Sequence, residues 1–493
     1  MQHSRVRVNT RTIEDYANDT QSFPKKYLVT CHTDHVGPGS TFVAIKGFQQ
    51  DGIAYIPRAL EHGASTIVVE QDAVIDHATL MCMERAGACL VRVENTRKAL
   101  AQMSARANGY PAKKLRILAV TGTKGKTTCA YLLAHSLRKL GHSVALLSTV
   151  VNKINDEVLV TMLTTPQPDY LHTFFKVCVN RNVEYVVMEV AAQAQTLYRT
   201  HELEFDGILF TNFSQEHAEF YETQDEYFKA KVSIFSQAKP NAPCIANADD
   251  PRFAQVCHIV PAIQSYGCID ESSMYRAVPS EDAIGEVATT VMMHDMQIPV
   301  SCQALIGQFN MYNVLGVMSL LISLGFSAPA VAHAISSFPG VPGRLERYHL
   351  PNGAQCFIDY AHNPSSFEAV LSTLARLTRD LIVVFGAGGD RDRVKRPIMG
   401  AIASQYAQRV ILTSDNPRSE DPFTIITDIM GGIQDGEGKV IQELDRAQAI
   451  KRAYEISRPG SIIAVLGKGP DEYQLVKGVK TFFSDTKTVL SLT

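Results

Sequence analysis

Charge of one sign is what this 493-residue chain most clearly lacks: 47 Lys and Arg stand against 50 Asp and Glu. That balance leaves no electrostatic footprint for bulk binding to nucleic acid or to a membrane surface. The ten cysteines form no Cys-x-x-Cys pair and no dense framework. In a chain this long they read as reduced, mostly buried thiols of a cytoplasmic protein. No run approaches the ~18 consecutive apolar residues that a membrane span requires. The start, Met1-Gln-His-Ser-Arg, leads into polar residues without an apolar signal segment, which also points to the cytoplasm. Internal repeats and low-complexity tracts are missing as well, so solenoids and disordered tails are not expected.

What is present is an ordinary apolar content of 45%, enough for large cores, and a length that suggests about three domains. The most informative stretch is Thr121-Gly-Thr-Lys-Gly-Lys-Thr-Thr128. It follows the apolar run Ile117–Val120 and opens a segment with Leu132, Leu133, Leu137 and Leu140 at helical spacing, closed by Gly141. A strand, a Gly-rich turn and a helix in that order cradle phosphates, because turn N–H groups and the helix N-terminus converge on the anion. Gly122, Thr123, Lys124, Gly125 and Thr128 would supply the cradle. Lys126 would neutralise the β/γ-phosphates, and the Thr127 hydroxyl would ligate Mg²⁺. Val120 stands where a full Walker motif has its first Gly. The chain is therefore expected to use a nucleoside triphosphate.

The fold class expected is α/β. Residues 1–112 read as a small α/β domain with strand-like runs at Thr41–Ile45 and Thr66–Val69, and a helix from Ile56 to His62 stopped by Gly63. A central ATP-binding domain over 113–338 alternates strands and helices, which suggests a mainly parallel sheet covered on both faces. The Pro/Gly-rich stretch Phe338–Arg344 separates it from a Rossmann-like third domain over 339–493. There, four apolar runs end in polar loops: Asp359 into Tyr-Ala-His-Asn, Phe385 into Gly-Ala-Gly-Gly-Asp-Arg-Asp, Leu412 into Thr-Ser-Asp-Asn-Pro-Arg, and Leu466 into Gly-Lys-Gly. Ligands bind beyond the carboxyl ends of parallel strands, so these loops point to a second binding site.

Near the phosphate loop, Glu189 ends a buried run, where a carboxylate is costly unless paired or on a metal. It is the natural second ligand for Mg²⁺. By spacing alone, His217 is a surface or core histidine and Lys231 a solvated lysine. Arg391, Arg393, Lys395 and Arg396 could equally be a solvated basic loop; without interleaved aromatics they do not make a nucleic-acid patch.

The loop Thr121–Thr128, the strand Val-Val-Met-Glu-Val190, the segment Thr-Asn-Phe-Ser-Gln-Glu-His217 and Tyr-Phe-Lys-Ala-Lys231 resemble the central domain of the Mur ligases. Gly-Gln-Phe-Asn-Met-Tyr-Asn313, Val-Pro-Gly-Arg344, Asp359-Tyr-Ala-His-Asn-Pro, Asp415-Asn-Pro-Arg418 and Gly467-Lys-Gly-Pro-Asp471 continue in the same order. The resemblance covers all three domains and is nearest to members that add the third residue of the peptidoglycan stem peptide. It implies that ATP phosphorylates the carboxylate of a UDP-muramoyl-dipeptide and that a diamino acid attacks the acyl phosphate. It implies a cytoplasmic enzyme of cell-wall precursor synthesis, expected to be a monomer because the family's site lies within one chain.

The resemblance also implies roles. Lys126 contacts phosphates, Thr127 and Glu189 hold one Mg²⁺, and His217 and a carbamylated Lys231 serve a second. Asn313 meets the adenine, and Arg344, Asp359 and His362 the nucleotide. Thr164, Thr165 and Arg199 hold the muramoyl-peptide, and the uridine end lies near Thr33, with Gly47 and Asp51-Gly52 shaping that loop. Arg391, Asp415, Asn416, Arg418, Gly467 and Asp471 select the amino acid. A distal carboxylate suits the Arg fork, so meso-diaminopimelate is expected, with L-lysine or L-ornithine as alternatives. A folylpolyglutamate- or poly-glutamate-type amide ligase is the alternative outside that reaction. Three stretches depart from the family: Ala191-Ala192-Gln193 replaces Ser-Ser-His, His32-Thr33-Asp34 replaces Asp-Ser-Arg, and Pro470-Asp471-Glu472 replaces His-Glu-Asp.

Overall fold

The computed structural model describes residues 23–48, 50–159, 161, 163–214, 220–280, 285–433 and 439–493. Its contacts gather into two compact units. The first comprises Met1–Val278, Val291–Ile298 and Tyr312–Ile335; the second comprises Pro279–Thr290, Pro299–Met311 and Ser336–Thr493.

Two sheets have most of their strands in the first unit. The smaller has the strands Val29–Thr30, Thr41–Val43, Thr66–Glu70 and Cys89–Val93 in sequence order, all parallel. Parallel neighbours need crossovers, and the helices Ile56–Glu61 and His77–Ala86 supply them. Gly63 follows the first of these helices at φ +96°, a left-handed conformation that stops the helix where the sequence suggests. The stretch Asn108–Lys114, which reads as a linker, contains a 3₁₀ turn over Pro111–Lys114 with Pro111 and Ala112 buried.

In the larger sheet, the strands Gln264–Gly267, Cys244–Asn247, Gly207–Phe210, Arg116–Thr121, Tyr185–Glu189 and Val144–Leu147 run side by side and parallel. The antiparallel strands Asn152–Ile154 and Glu157–Leu159 continue one edge. Ile117, Leu118, Ala119 and Val120 have no exposed surface, as expected of a central strand covered on both faces. The helix Lys126–Lys139 starts at the end of this strand and buries Leu132, Leu133 and Leu137.

The second unit is built on the order Glu346–His349, Gln355–Asp359, Ile462–Leu466, Leu381–Phe385, Arg409–Leu412, Val440–Gln442. The first pair is antiparallel and the rest are parallel. The strands ending at Asp359, Leu466, Phe385 and Leu412 are therefore adjacent and point the same way. Their exit loops gather along one edge of the sheet, as the sequence suggests. Two apolar clusters flank it, one around Phe367, Leu371 and Met399, the other around Ile450, Ala453 and Val489.

Candidate active site

Gly122 stands at φ +137° and Gly125 at φ +82°, both costly for any residue with a Cβ. Space demands glycine too: a Cβ on Gly122 would lie 2.0 Å from Thr211 Oγ1, and one on Gly125 would lie 2.3 Å from Asn313 Oδ1. The loop is held from the neighbouring strand's exit. Thr123 N donates to Asn212 O at 2.8 Å, Lys124 N donates to Asn212 Oδ1 at 3.0 Å, and Thr211 Oγ1 donates to Lys124 O at 2.6 Å. Lys126 opens the helix, and its Nζ lies over the loop on Gly122 O (2.9 Å) and Thr123 O (2.8 Å). Thr128 is buried beside Thr127 in the first turn.

Glu189 is fully buried and has the partners that such a carboxylate demands. It accepts from Thr127 Oγ1 at 3.0 Å, from Thr149 N at 2.8 Å and from Thr149 Oγ1 at 3.1 Å. A hydroxyl and a carboxylate thus meet at the mouth of the phosphate loop. This donor set fits a hard cation that takes its other ligands from phosphate and water. Among the described residues no group of three His, Cys, Asp or Glu could hold a metal by itself. His217 lies outside the described residues.

Lys231 is not the solvated lysine that spacing suggests. It is 1% exposed, donates from Nζ to Gly122 O at 2.7 Å and sits 4.5 Å over the Tyr227 ring. The helix Gln224–Val232, opened by a Thr223/Glu226 capping box, carries it there. Asn313, on the helix Gln308–Ser323, touches Gly125 and accepts from the Cys129 thiol at 3.4 Å.

The residues expected to hold the muramoyl-peptide meet the same strand end. Thr165 Oγ1 donates to Glu189 O at 3.0 Å and accepts from Ala191 N at 3.0 Å. Thr164 Oγ1 is 3.0 Å from Thr149 Oγ1, and Arg199 Nη1 donates to Thr165 O at 3.0 Å. Burial pulls the Arg199 pKa below its ordinary value, and the nearby Arg97 lowers it further. In the departing segment, Ala191 is the N-cap of the helix Ala192–Thr196 and provides no side-chain cap. Thr33 is buried in a 3₁₀ turn, its carbonyl on His62 Nδ1 at 2.8 Å. Asp34, where the family has a cation, pairs with Arg58 at 2.8 Å.

In the second unit, Asp415 and Asn416 are buried at one strand exit, and Lys468 Nζ bridges them at 3.1 and 3.2 Å. Gly467, at φ +111°, lets the next loop approach, since a Cβ there would lie 2.9 Å from Asp415 Oδ2. Arg418 is in the left-handed region at φ +53°. Such strain persists only where surroundings impose it. Here the hairpin Tyr473–Val476/Val479–Phe482 imposes it, through Arg418 N on Leu475 O (3.0 Å) and Lys477 N on Arg418 O (2.6 Å). Arg391 and Arg418 both reach Gly388, whose missing Cβ would lie 3.6 Å from Arg391 Cγ and 2.9 Å from Arg418 Nη1. Burial raises the Asp471 carboxyl pKa, Lys468 opposes that shift, and Asp415 adds to it. Asp359 binds Leu345 N and Ala361 N, both at 2.7 Å, which fixes the backbone beside Arg344. The Arg344 guanidinium lies 4.6 Å over the Tyr360 ring, and His362 O accepts from Lys395 Nζ at 3.0 Å.

Comparison with known proteins settles the family. Three models match in chain order: the Mur ligase family catalytic domain over 26–108, the Mur ligase middle domain over 120–321, and the Mur ligase glutamate ligase domain over 343–469. The UDP-N-acetylmuramoyl-L-alanyl-D-glutamate–2,6-diaminopimelate ligase of Chlorobium phaeobacteroides is 35% identical, with 97% of this chain and 94% of that protein covered. The chain belongs to the Mur ligase family. The Geobacillus thermodenitrificans ligase of the same name is also 35% identical over 90% of this chain and 89% of its own length. A solved structure of a ligase of that name superposes with a TM-score of 0.66 at 27% identity, covering 95% of this chain and 94% of the other.

This Mur ligase makes side-chain contacts that spacing did not reveal. Thr149, Lys468 and Arg396 each bond a carboxylate distant in sequence, Glu189, Asp415 and Glu420 respectively. Arg396 is no part of a solvated basic loop: it is fully buried and clamps Glu420 (2.8 and 2.9 Å), Asp428 (2.8 Å) and Gly388 O (3.1 Å). The only signal for Lys468 in the sequence is its place between two glycines after a buried strand.

Proposed function

We propose that the chain joins meso-2,6-diaminopimelate to UDP-N-acetylmuramoyl-L-alanyl-D-glutamate, with ATP converted to ADP and phosphate. The observation that carries the choice of amino acid is the pairing of Arg391 and Arg418 around Gly388, beside the buried Asp415–Lys468–Asn416 group. Two guanidiniums suit a distal carboxylate, and Asp415 and Asp471 suit an ammonium. L-Lysine and L-ornithine have no distal carboxylate to offer.

The terminal carboxylate of the dipeptide attacks the γ-phosphorus of ATP, and ADP leaves. The amine of diaminopimelate then attacks the acyl carbon, loses its proton, and the C–O bond to phosphate breaks. A carboxylate resists amines and a mixed anhydride does not, so the protein's work is positioning and charge neutralisation. Lys126 and the loop N–H groups take the β/γ-phosphates, Asn313 the adenine, and Arg344, Asp359 and His362 the nucleotide. Thr127 and Glu189 would hold Mg²⁺, which neutralises phosphate charge when bound; His217 and Lys231 as a carbamate would hold a second. Thr33, Thr164, Thr165 and Arg199 bind the UDP-muramoyl-dipeptide. The three sequence segments 1–112, 113–338 and 339–493 divide the work among UDP-substrate, ATP and amino acid. The enzyme is proposed to act as a monomer in the cytoplasm; separately, no helix among the described residues is long and apolar enough to cross a membrane.

The test is phosphate release from ATP with UDP-N-acetylmuramoyl-L-Ala-D-Glu and each of meso-diaminopimelate, L-lysine and L-ornithine. Turnover with diaminopimelate alone is expected. Turnover with lysine or ornithine would keep the ligase and overturn the role given to the two arginines.

A further inference from the structure

Arg97 has no role in the reaction as proposed so far. It is the second residue of the helix Thr96–Ala107, whose N-cap Asn95 accepts from Lys98 N at 3.0 Å. One of its donors, Nη2, binds Lys46 O at 3.0 Å. Lys46 bridges Asp51, so this bond ties the guanidinium to the loop that includes Gly47, Asp51 and Gly52. A guanidinium has five N–H donors, and among the described residues no other side-chain hydrogen bond of Arg97 is seen.

The same helix start meets Arg199 from the other side. Lys98 Nζ lies 4.8 Å over the ring of Tyr198, the residue before Arg199. Arg199 uses Nη1 on Thr165 O, and its Nε is buried with no partner among the described residues. The Cys31 thiol lies within the field of both guanidiniums, and Arg97 and Arg199 feel one another: the charge of Arg97 depresses the Arg199 pKa.

No ion pair among the described residues neutralises either arginine. Glu70 is the carboxylate that acts on Arg97, and it accepts from Thr96 Oγ1 at 3.2 Å. Asp169, close by, is taken up by Thr30 Oγ1 (2.8 Å), Cys31 N (3.3 Å) and Tyr170 N (2.9 Å). Two like charges held together in a half-buried setting are costly without an anion between them. The anion's chemistry follows from where the pair stands. On one flank are Lys46, Gly47, Asp51 and Gly52, of the loop assigned to the uridine end. On the other is Thr165, which takes the peptide and whose carbonyl accepts from Arg199. In the UDP-muramoyl-dipeptide, the groups between those ends are the diphosphate and a neutral sugar, so the anion is the diphosphate.

We infer that Arg97 is a further substrate-binding residue and that, with Arg199, it grips the diphosphate of the UDP-linked substrate; this rests on the substrate reading proposed above. Charge-assisted bonds from a guanidinium fork to phosphate oxygens account for the use of arginine here.

The experiment measures binding of UDP and of uridine to the full chain, and KM for UDP-muramoyl-dipeptide, in the wild type, Arg97→Gln and Arg97→Lys. Arg97→Gln should cut the preference for UDP over uridine by about tenfold or more, as loss of a charge-assisted bond implies. Uridine affinity, kcat and the KM values for ATP and the diamino acid should stay unchanged, and Arg97→Lys should keep part of the preference. Equal weakening of UDP and uridine would overturn the inference and leave Arg97 as a support for the loop at Lys46. An unchanged UDP preference with a raised KM for the full substrate would also overturn it and move the contact to the peptide carboxylate. If the wild type turns over no UDP-linked substrate at all, the proposed function itself fails.

Discussion

Replacing Arg396 by Met removes a charge that the fold encloses completely. The guanidinium is 0% exposed, while its partners Glu420 and Asp428 are 20% and 26% exposed. Removing one member of a buried ion pair costs ~3–5 kcal/mol, because the remaining charge is left uncompensated. The two carboxylates here can regain some water, so the lower end applies, about 3 kcal/mol. The pH dependence has a definite sign. Hydrogen bonds from Arg396 hold the Glu420 carboxyl down at about 2, against an ordinary 4.5, and also lower Asp428. A carboxylate with a depressed folded-state pKa contributes fully above its unfolded value, and that contribution fades as pH falls toward the folded value. The stability gap between wild type and Arg396→Met should therefore be constant around neutrality and shrink below about pH 4.5. Urea unfolding of both proteins, near neutrality and near pH 4, reads the gap. The same clamp joins Gly388 to Glu420, which also accepts from Asp390 N at 2.6 Å, so it sets the spacing of the loops carrying Arg391 and Arg418. The KM for the diamino acid should rise in Arg396→Met while the KM for ATP does not. A variant within about 0.5 kcal/mol of wild type, or a gap as large near pH 4 as at neutrality, would refute this reasoning.

Three further outcomes are expected. Arg418→Ala should raise the KM for diaminopimelate by about tenfold or more and leave that for ATP alone, as loss of a charge-assisted contact implies; unchanged efficiency in steady-state assays would remove the residue from selection. Lys231→Ala should lose turnover, with short organic carboxylates restoring part of it if a carbamate is the working form, and a fully active variant would exclude the lysine from the chemistry. Gly125→Ala should weaken nucleotide binding, because φ +82° and the 2.3 Å approach to Asn313 both resist a Cβ; ATP titration of a folded variant with unchanged affinity would contradict that.

The local patterns carried much of this protein. The apolar run before Thr121, the glycines and the leucine spacing after it specify strand, turn and helix without help from distant residues. The four polar loops after apolar runs were legible because a buried parallel strand needs a continuous apolar sequence, and its exit does not. Gly63 and Gly141 mark helix ends because each lies at positive φ, which few other residues tolerate. The helix Gln224–Val232 was also readable, but the burial of Lys231 was not. Its local pattern does not distinguish a solvated face from one turned onto Gly122, a residue more than a hundred positions earlier.

The sequence by itself determined the element types, the phosphate loop and the order of motifs, since these rest on backbone preference and on neighbours a few residues apart. Only the tertiary structure decided which charges are partnered. Glu189 meets Thr127 and Thr149, Lys468 meets Asp415, and Arg396 meets Glu420, each across a long chain separation. Sheet order sets those meetings, because it decides which strand ends are adjacent, and electrostatic interaction depends on distance in space and on burial, not on distance along the chain.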